Sequence, residues 1–283
     1  MSWTHIARKD FAEAVRSKLL WAVTTVFVGL VAVAVSIPHF DDGAPATFGV
    51  GMETLFAVVA TMAPVIGLLV GYGAVVGERE SGSIRTLLGL PNSRLDVIVG
   101  KTVGRVAVMT VATVAGILAG TVVLLALYDG FDIVDYAAVG LHVLLGAVLF
   151  VVLAIVISAS VASSAKAAAA IFGVYVGVFT FWEYLPDAVY WAVEGTLPGG
   201  GTPPAWYVFL GQLNPGQALD ELLLVPLDVF ADAPYVTVQP AAERVPGDAP
   251  FYLESWFAAV VFLAWIVGPL AVGYLKFRRT PLT

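Results

Sequence analysis

An all-α fold with six membrane-crossing helices follows from three observations on this chain. Of its 283 residues, 59% are hydrophobic and only 12% charged, against roughly 45–50% and about 25% in ordinary soluble domains. That is too little charge to cover a globular surface. Six apolar runs each approach or exceed the roughly 20 residues that span a hydrocarbon layer. The connections between them alternate in sign: thirteen of the fourteen Lys and Arg residues fall on one side and sixteen of the twenty-one Asp and Glu residues on the other, giving +8 and −15. Short basic loops stay cytoplasmic, so both termini and the second and fourth connections are expected inside the cell.

Residues 1–18 are expected to form a cytoplasmic interfacial helix. Trp3, Ile6, Ala7, Phe11, Ala14 and Val15 make one stripe, and Arg8, Lys9, Glu13 and Arg16 lie opposite. A helix of this kind rests in the headgroup region with its apolar face in lipid. The first span, Leu19 to Ile37, follows a basic segment as a signal peptide would, but it is long for a signal core, and retaining it puts every later charge on the expected side. Further spans read Thr54 to Gly77, Thr102 to Tyr128, Tyr136 to Ser163, Ala167 to Glu183 and Trp256 to Leu275. Residues 19–183 thus hold five spans, 256–275 the sixth, and 276–283 a cytoplasmic tail.

Residues 184–255 are expected to be extracellular. Asn214-Pro215 reads there as an N-cap and first helical position, opening a short helix through Gln217 to Val225, and five later prolines keep the remainder irregular. Tyr190, Trp191, Trp206, Tyr207, Phe209, Phe230, Tyr235, Phe251 and Tyr252 are too many large apolar groups to leave in water. They are expected to fold together or to lie on the outer interface.

The second inner connection, from Gly77-Glu78-Arg79-Glu80-Ser81-Gly82 to Gly100-Lys101, is the most informative stretch. Ile84, Leu87 and Leu88 make a compact apolar face on a helix too short to cross anything. Pro91 stops that helix, and Ser93 with Asp96 has capping-box spacing for the next one. An amphipathic helix of this length either lies on lipid or fills a groove in a partner.

In order and spacing, these residues resemble the intracellular signature of ABC-2 type permeases: Gly-Glu-Arg-Glu-x-Gly-Ser, a Leu-Leu pair, Pro, a small polar residue, Arg, and a Gly-Lys opening the next span. Ile6-Ala7-Arg8-Lys9, Leu213-Asn214-Pro215 and Phe277-Arg278-Arg279 extend the likeness over the chain. Within the family, the permease branch of nitrous-oxide-reductase maturation is most similar, although the acidic outer segment here is longer. The resemblance implies a permease working as a homodimer with two cytoplasmic ATP-binding subunits. Residues 78–92 would be its coupling helix, with Glu78, Arg79, Glu80, Gly82, Ile84, Arg85, Leu87, Leu88, Pro91, Arg94 and Lys101 as the coupling residues. Export of a molecule, or mechanical work on an extracellular partner at 184–255 during metallo-enzyme maturation, would be the output. A membrane scaffold without transport is the remaining alternative.

Several chemistries are excluded. The chain has no cysteine, hence no disulfide, thiolate metal site or Cys nucleophile. Four Met and three scattered His residues give no ligand ladder for copper, and no cofactor or nucleic acid is expected. Gly100-Lys101-Thr102 ends like a phosphate loop, but Leu95 stands where its first glycine belongs, so ATP hydrolysis is expected in a partner chain. Ser158 and Ser160 lie 16 and 18 residues from His142, about 24–27 Å along one helix at 1.5 Å per residue, too far for a protease pair. No ionisable group falls at mid-span, which argues against a proton-coupled carrier. Glycines four apart recur at Gly67/Gly71, Gly73/Gly77, Gly100/Gly104, Gly116/Gly120 and Gly173/Gly177, a spacing that lets helices approach closely within the bundle or across a dimer seam.

Overall fold

The computed structural model describes residues 3–41, 47–84, 87, 92–199, 201–230 and 239–279, and every regular element among them is helical. In chain order these are α1 (Trp3–Val15), α2 (Lys18–Ser36), α3 (Phe48–Gly71), α4 (Val76–Glu80), α5 (Arg94–Leu127), α6 (Ile133–Ser160), α7 (Ser164–Val176), α8 (Leu185–Glu194), α9 (Ala205–Gln212), α10 (Pro215–Leu223) and α11 (Ser255–Arg279). Five segments are long and apolar enough to cross a membrane: 20–40, 48–80, 94–127, 133–160 and 255–279. The bundle therefore has a basic end, where α1, α4 and the starts of α5 and α7 meet, and an acidic end, where α8 to α10 gather.

Local sequence sets the helix starts as expected. Ser93 and Asp96 form a full capping box at the head of α5, and Asn214 accepts the Gly216 N–H at 2.8 Å ahead of Pro215. Ser17, Thr47, Asp132 and Ser163 cap α2, α3, α6 and α7 through side-chain oxygens. Each satisfies backbone donors that a helix start leaves unpaired.

The core is built by close backbone approach. A methyl group at Gly71 would sit 2.5 Å from Ala154 Cβ, and one at Gly67 3.2 Å from the Ala147 carbonyl, so this glycine pair seats α3 on α6. Gly116 and Gly120 make room for Phe27 and Leu55 in the same way. By contrast, a methyl at Gly73, Gly77, Gly173 or Gly177 would meet no described atom within 4 Å. Three of the five spaced pairs thus pack the bundle and two do not.

Two expectations need correction. The stripe of α1 was expected in lipid, yet Ile6, Ala7, Asp10 and Ala14 are buried, and α1 lies along α5. A methyl at Gly100 would come within 2.7 Å of Ile6 Cβ, and one at Gly104 within 2.9 Å of the Ala7 carbonyl. The 34-residue α5 is about 51 Å long, well beyond a hydrocarbon layer of about 30 Å, so its basic end projects and offers α1 a protein surface. The expected span 167–183 is likewise not one unbroken α-helix. Its α-helical part, α7, has 13 residues and covers only about 20 Å. It continues as a π-helix over Gly177–Phe181 and a 3-10 turn over Trp182–Tyr184 before α8. Asn214 Nδ2 donates to the Val178 carbonyl at 2.7 Å and Trp182 Nε1 to the Leu210 carbonyl at 3.0 Å. Both bonds draw the end of this segment towards α9 and α10, and widened turns of this kind mark places where an inserted group competes with the helical ladder.

At the acidic end part of the aromatic set folds together, while Trp191 and Phe251 stay exposed. Tyr190 stacks on Trp206 with ring centroids 5.9 Å apart, and Phe209 meets Tyr252 at 4.9 Å, while Val208, Ala241, Val245 and Leu253 make a small core beneath them. Tyr207 donates to Asp187 Oδ1 at 2.7 Å. Burial, and then that carboxylate, push its phenol up to about 12. Tyr235 lies outside the described residues.

The glycine packing gives a direct comparison. Gly71→Ala should destabilise the protein by about 1–3 kcal/mol, the usual cost of overpacking a filled core, because the added methyl runs into Ala154 and the Val151 carbonyl. Gly73→Ala, two residues on in open space, should leave the melting temperature in detergent unchanged or slightly raised.

Candidate functional site

The charged residues singled out between Glu78 and Lys101 converge at the basic end, around a lysine that is almost wholly buried. Lys101 is 2% exposed, and its Nζ donates to Glu78 Oε1 at 2.8 Å and to Asp10 Oδ1 at 3.3 Å. One turn further along α5, Arg105 Nη2 donates to Asp10 Oδ1 at 3.2 Å and Nη1 to the Val70 carbonyl at 3.2 Å. Its Nε stands 2.7 Å from Asp10 Oδ2, a charge contact without hydrogen-bond alignment. Two cations and two anions make the cluster neutral. It joins α1, α4, α5 and the end of α3.

Neighbouring charges extend the joint. Arg79 Nη1 donates to the Val161 carbonyl at 2.6 Å and Nη2 to the Ala159 carbonyl at 3.2 Å. Glu80 accepts the Ser164 N–H at 2.8 Å and the Ser164 hydroxyl. A cation therefore sits on the C-terminus of α6 and an anion on the N-terminus of α7, the arrangement favoured by the helix dipoles. Ser158, buried in α6, accepts the Val75 and Val76 N–H groups at 3.1 and 3.0 Å. These are donors that the start of α4 could not otherwise satisfy. Arg94 donates to the Phe277 and Arg278 carbonyls at the end of α11. The guanidinium groups of Arg94 and Arg79 lie 5.4 and 5.9 Å from the buried Phe277 ring, close enough for cation–π attraction.

Beyond α4 the chain turns at Gly82, whose φ of +74° is a left-handed conformation that glycine adopts without cost. Ile84, expected on a face open to a partner, is 2% exposed and belongs to the core of the bundle. Leu87 is half-buried against the same core. The apolar face is thus at least partly turned inward, because this segment folds back onto its own chain. Arg85, Leu88 and Pro91 lie outside the described residues.

Sequence reasoning missed Asp10, Arg105, Ser158, Ser164 and Phe277. A signal existed for Asp10: it follows Ile6 and precedes Ala14 by one helical turn each, so it stands on the apolar face of α1. An acid on such a face implies a buried counter-charge. The others depend on contacts between residues 35 to 198 positions apart in the chain and leave no local pattern.

His142 pairs through Nε2 with Asp220 Oδ1 at 2.7 Å, joining α6 to α10 at the acidic end. No group of three or more potential metal-ligating His, Asp or Glu side chains occurs among the described residues. The charges of the site at the basic end are spent on one another and on helix ends, so the cluster and its neighbours tie α1, α4, α5, α6 and α7 together.

Comparison with known proteins places the chain in a family. The family model described as "ABC-2 family transporter protein" matches residues 4–282. The chain is 31% identical to the "Probable ABC transporter permease protein NosY" of Pseudomonas aeruginosa, over 99% of this chain and 98% of that protein. It is 29% identical to the protein of the same description from Stutzerimonas stutzeri, over 97% of each.

The buried cluster makes a prediction that separates charge from packing. Lys101→Met should destabilise the chain by about 3–5 kcal/mol, because Glu78 would be left without a counter-charge and Asp10 with Arg105 alone. The double change Glu78→Gln and Lys101→Met, which keeps the Asp10–Arg105 pair balanced, should recover most of that loss in a detergent melting experiment. Equal melting temperatures for the single and double variants would show that the cost was lost packing instead.

Proposed function

The chain belongs to the ABC-2 family of transporter proteins, as the transmembrane subunit of an ABC transporter, and on that premise we propose that residues 78–92 are the coupling helix that takes up movement from a separate ATP-binding subunit. In this reading two copies of the chain work with two ATP-binding subunits, and ATP is hydrolysed only in those partners. Both termini and the basic end face the cytoplasm, and residues 184–255 face outside. The segment 164–184, helical throughout though not all α, completes six crossings.

The observation that carries this reading is the joint at the basic end. Glu78, Arg79, Glu80, Arg94 and Lys101 each bind a different helix or helix end, so a push on the segment between Gly82 and Pro91 reaches α1, α5, α6, α7 and α11 together. Ile84 anchors the segment to its own bundle, and in this reading the exposed part of the half-buried Leu87, with Leu88 beside it in sequence, meets the partner. The open pair Gly173/Gly177 suits close approach of a second copy.

A second reading of the output, mechanical work on an extracellular protein instead of export, is favoured by one feature. α9 and α10 are bolted to the membrane helices: Trp265 Nε1 donates to the Leu213 carbonyl at 2.9 Å, Ser255 Oγ to Glu221 Oε1 at 2.9 Å, and His142 pairs with Asp220. Movement of α6 or α11 would be delivered directly to the outer segment.

Three experiments test the proposal. Reporter fusions after Gly199 and after the C-terminus should give opposite sides, external and cytoplasmic, and a cytoplasmic signal after Gly199 would overturn the topology. The chain alone should hydrolyse no ATP but should change the rate of its ATP-binding subunit when the two are reconstituted. Changing Leu87 and Leu88 together to Asp should weaken recovery of that subunit by about thirtyfold or more, the equivalent of 2 kcal/mol at an interface anchor. Melting of the variant checks that the bundle survives. Normal recovery with normal stimulation would place the docking surface elsewhere.

A further inference from the structure

At the acidic end a helical stretch leaves one apolar face uncovered. Phe181, Tyr184, Leu185, Ala188, Trp191 and Ala192 recur at intervals of three and four residues, which puts them on one side of a continuous helical path. All six are exposed, with Phe181 at 65%, Tyr184 at 60% and Trp191 at 59%. The opposite side is committed: Pro186 is buried, Tyr190 stacks on Trp206, and Asp187 accepts the Tyr207 hydroxyl. These contacts fix the rotation of α8 and hold the apolar face outward.

We propose that this face lies in the bilayer, at the boundary between acyl chains and headgroups of the leaflet at the acidic end. Three observations select lipid as the occupant. First, the stretch runs without a loop out of the apolar segment 164–184, so the face continues the surface of a segment that the six-crossing reading places in hydrocarbon. Second, its large side chains are Phe, Tyr, Leu and Trp. Tyr and Trp gather where one end of the ring meets acyl chains and the other meets water. Phe251 and Trp256, stacked at 6.5 Å and exposed at 63% and 57%, repeat this signature where α11 begins. Third, Glu183, Asp187 and Glu194 flank the face, and no Lys or Arg occurs between residues 167 and 243. The surface therefore has nothing to attract anionic headgroups and binds by apolar burial alone. Gly195, with φ at +73°, then ends α8 and turns the chain away. The proposal rests on the chain being a multi-pass membrane protein and is independent of how ATP drives it.

The absence of cysteine makes the test clean. The full chain carrying Ala188→Cys, Ala192→Cys or Glu194→Cys is labelled with an environment-sensitive fluorophore, assembled with its ATP-binding subunit and placed in nanodiscs of zwitterionic phospholipid. Labels at positions 188 and 192 should show blue-shifted emission, strong quenching by lipids bearing a nitroxide high on the acyl chain, and little quenching by iodide. The label at 194 should be quenched by iodide. Adding anionic phospholipid should leave this pattern unchanged, and a pattern that appears only with anionic lipid would overturn the charge argument. Iodide quenching at 188 and 192 equal to that at 194 would place the face in water. Protection there from both iodide and lipid nitroxides would place it under protein. Either result overturns the proposal without touching the coupling reading, since the label reports lipid contact and not ATP turnover.

Discussion

The contact on which the basic end depends is the one between Lys101 and its two carboxylates. An ammonium group that is 2% exposed is tolerated only because Asp10 and Glu78 reach it, and each carboxylate arrives from a different helix. Taking an ion out of water costs several kcal/mol even after relaxation, so the three groups are obliged to stay together. Gly100 and Gly104 make the geometry possible. Without side chains there, α1 lies close enough to α5 for the short side chain of Asp10 to bridge the gap. The glycine spacing that would ordinarily join two membrane spans is used here to seat a helix that does not cross the membrane.

The two ends of the bundle solve different problems. At the basic end charge is neutralised inside the chain, and helix ends are matched with ions of the appropriate sign. At the acidic end, aromatic stacking and single hydrogen bonds to backbone carbonyls do the joining, while most acids face outward. Glu221, 3% exposed, is an exception: it accepts the Ala241 N–H at 3.0 Å and the Ser255 hydroxyl. It thereby ties α10 to the head of α11. Asp220, its neighbour, holds His142 of α6. Adjacent residues of one short helix thus grip two long ones, which makes α10 the link between the acidic end and the bundle.

How much of this was legible in the sequence follows from the range of each interaction. Hydropathy, charge alternation and helix caps are local, and they gave the all-helical class, five of the six long segments, the Ser93–Asp96 box and the Asn214–Pro215 start. The interruption of the segment 164–184 was not legible, because the group that engages its π turn, Asn214, lies 36 residues from Val178. The buried side of Ile84 was hidden for a related reason. A short apolar stripe reads the same whether it faces its own bundle or a partner. Of the residues proposed for coupling, Glu78, Arg79, Glu80, Arg94 and Lys101 meet at one end of the bundle, but their partners Asp10, Val161, Ser164 and Phe277 come from distant parts of the chain.

A hydrophobic seam could hold α1 on α5 with comparable strength, so the use of buried charge asks for a reason beyond stability. Register supplies one. Apolar side chains packed on a helix tolerate sliding, since one ridge of methyl groups resembles the next. A shift of α1 by one turn, about 5.4 Å, would instead carry Asp10 away from both Lys101 and Arg105 and leave its buried carboxylate uncompensated. The energy of that state rises steeply, because screening by water is weak inside the joint. Glu78 shares the same lysine, so the constraint extends to α4 and to the segment that follows it. Under the proposed coupling, an element that converts a push at 82–91 into concerted motion of several helices cannot allow slip at its first contact. The ion triad is the part of this fold best suited to prevent it.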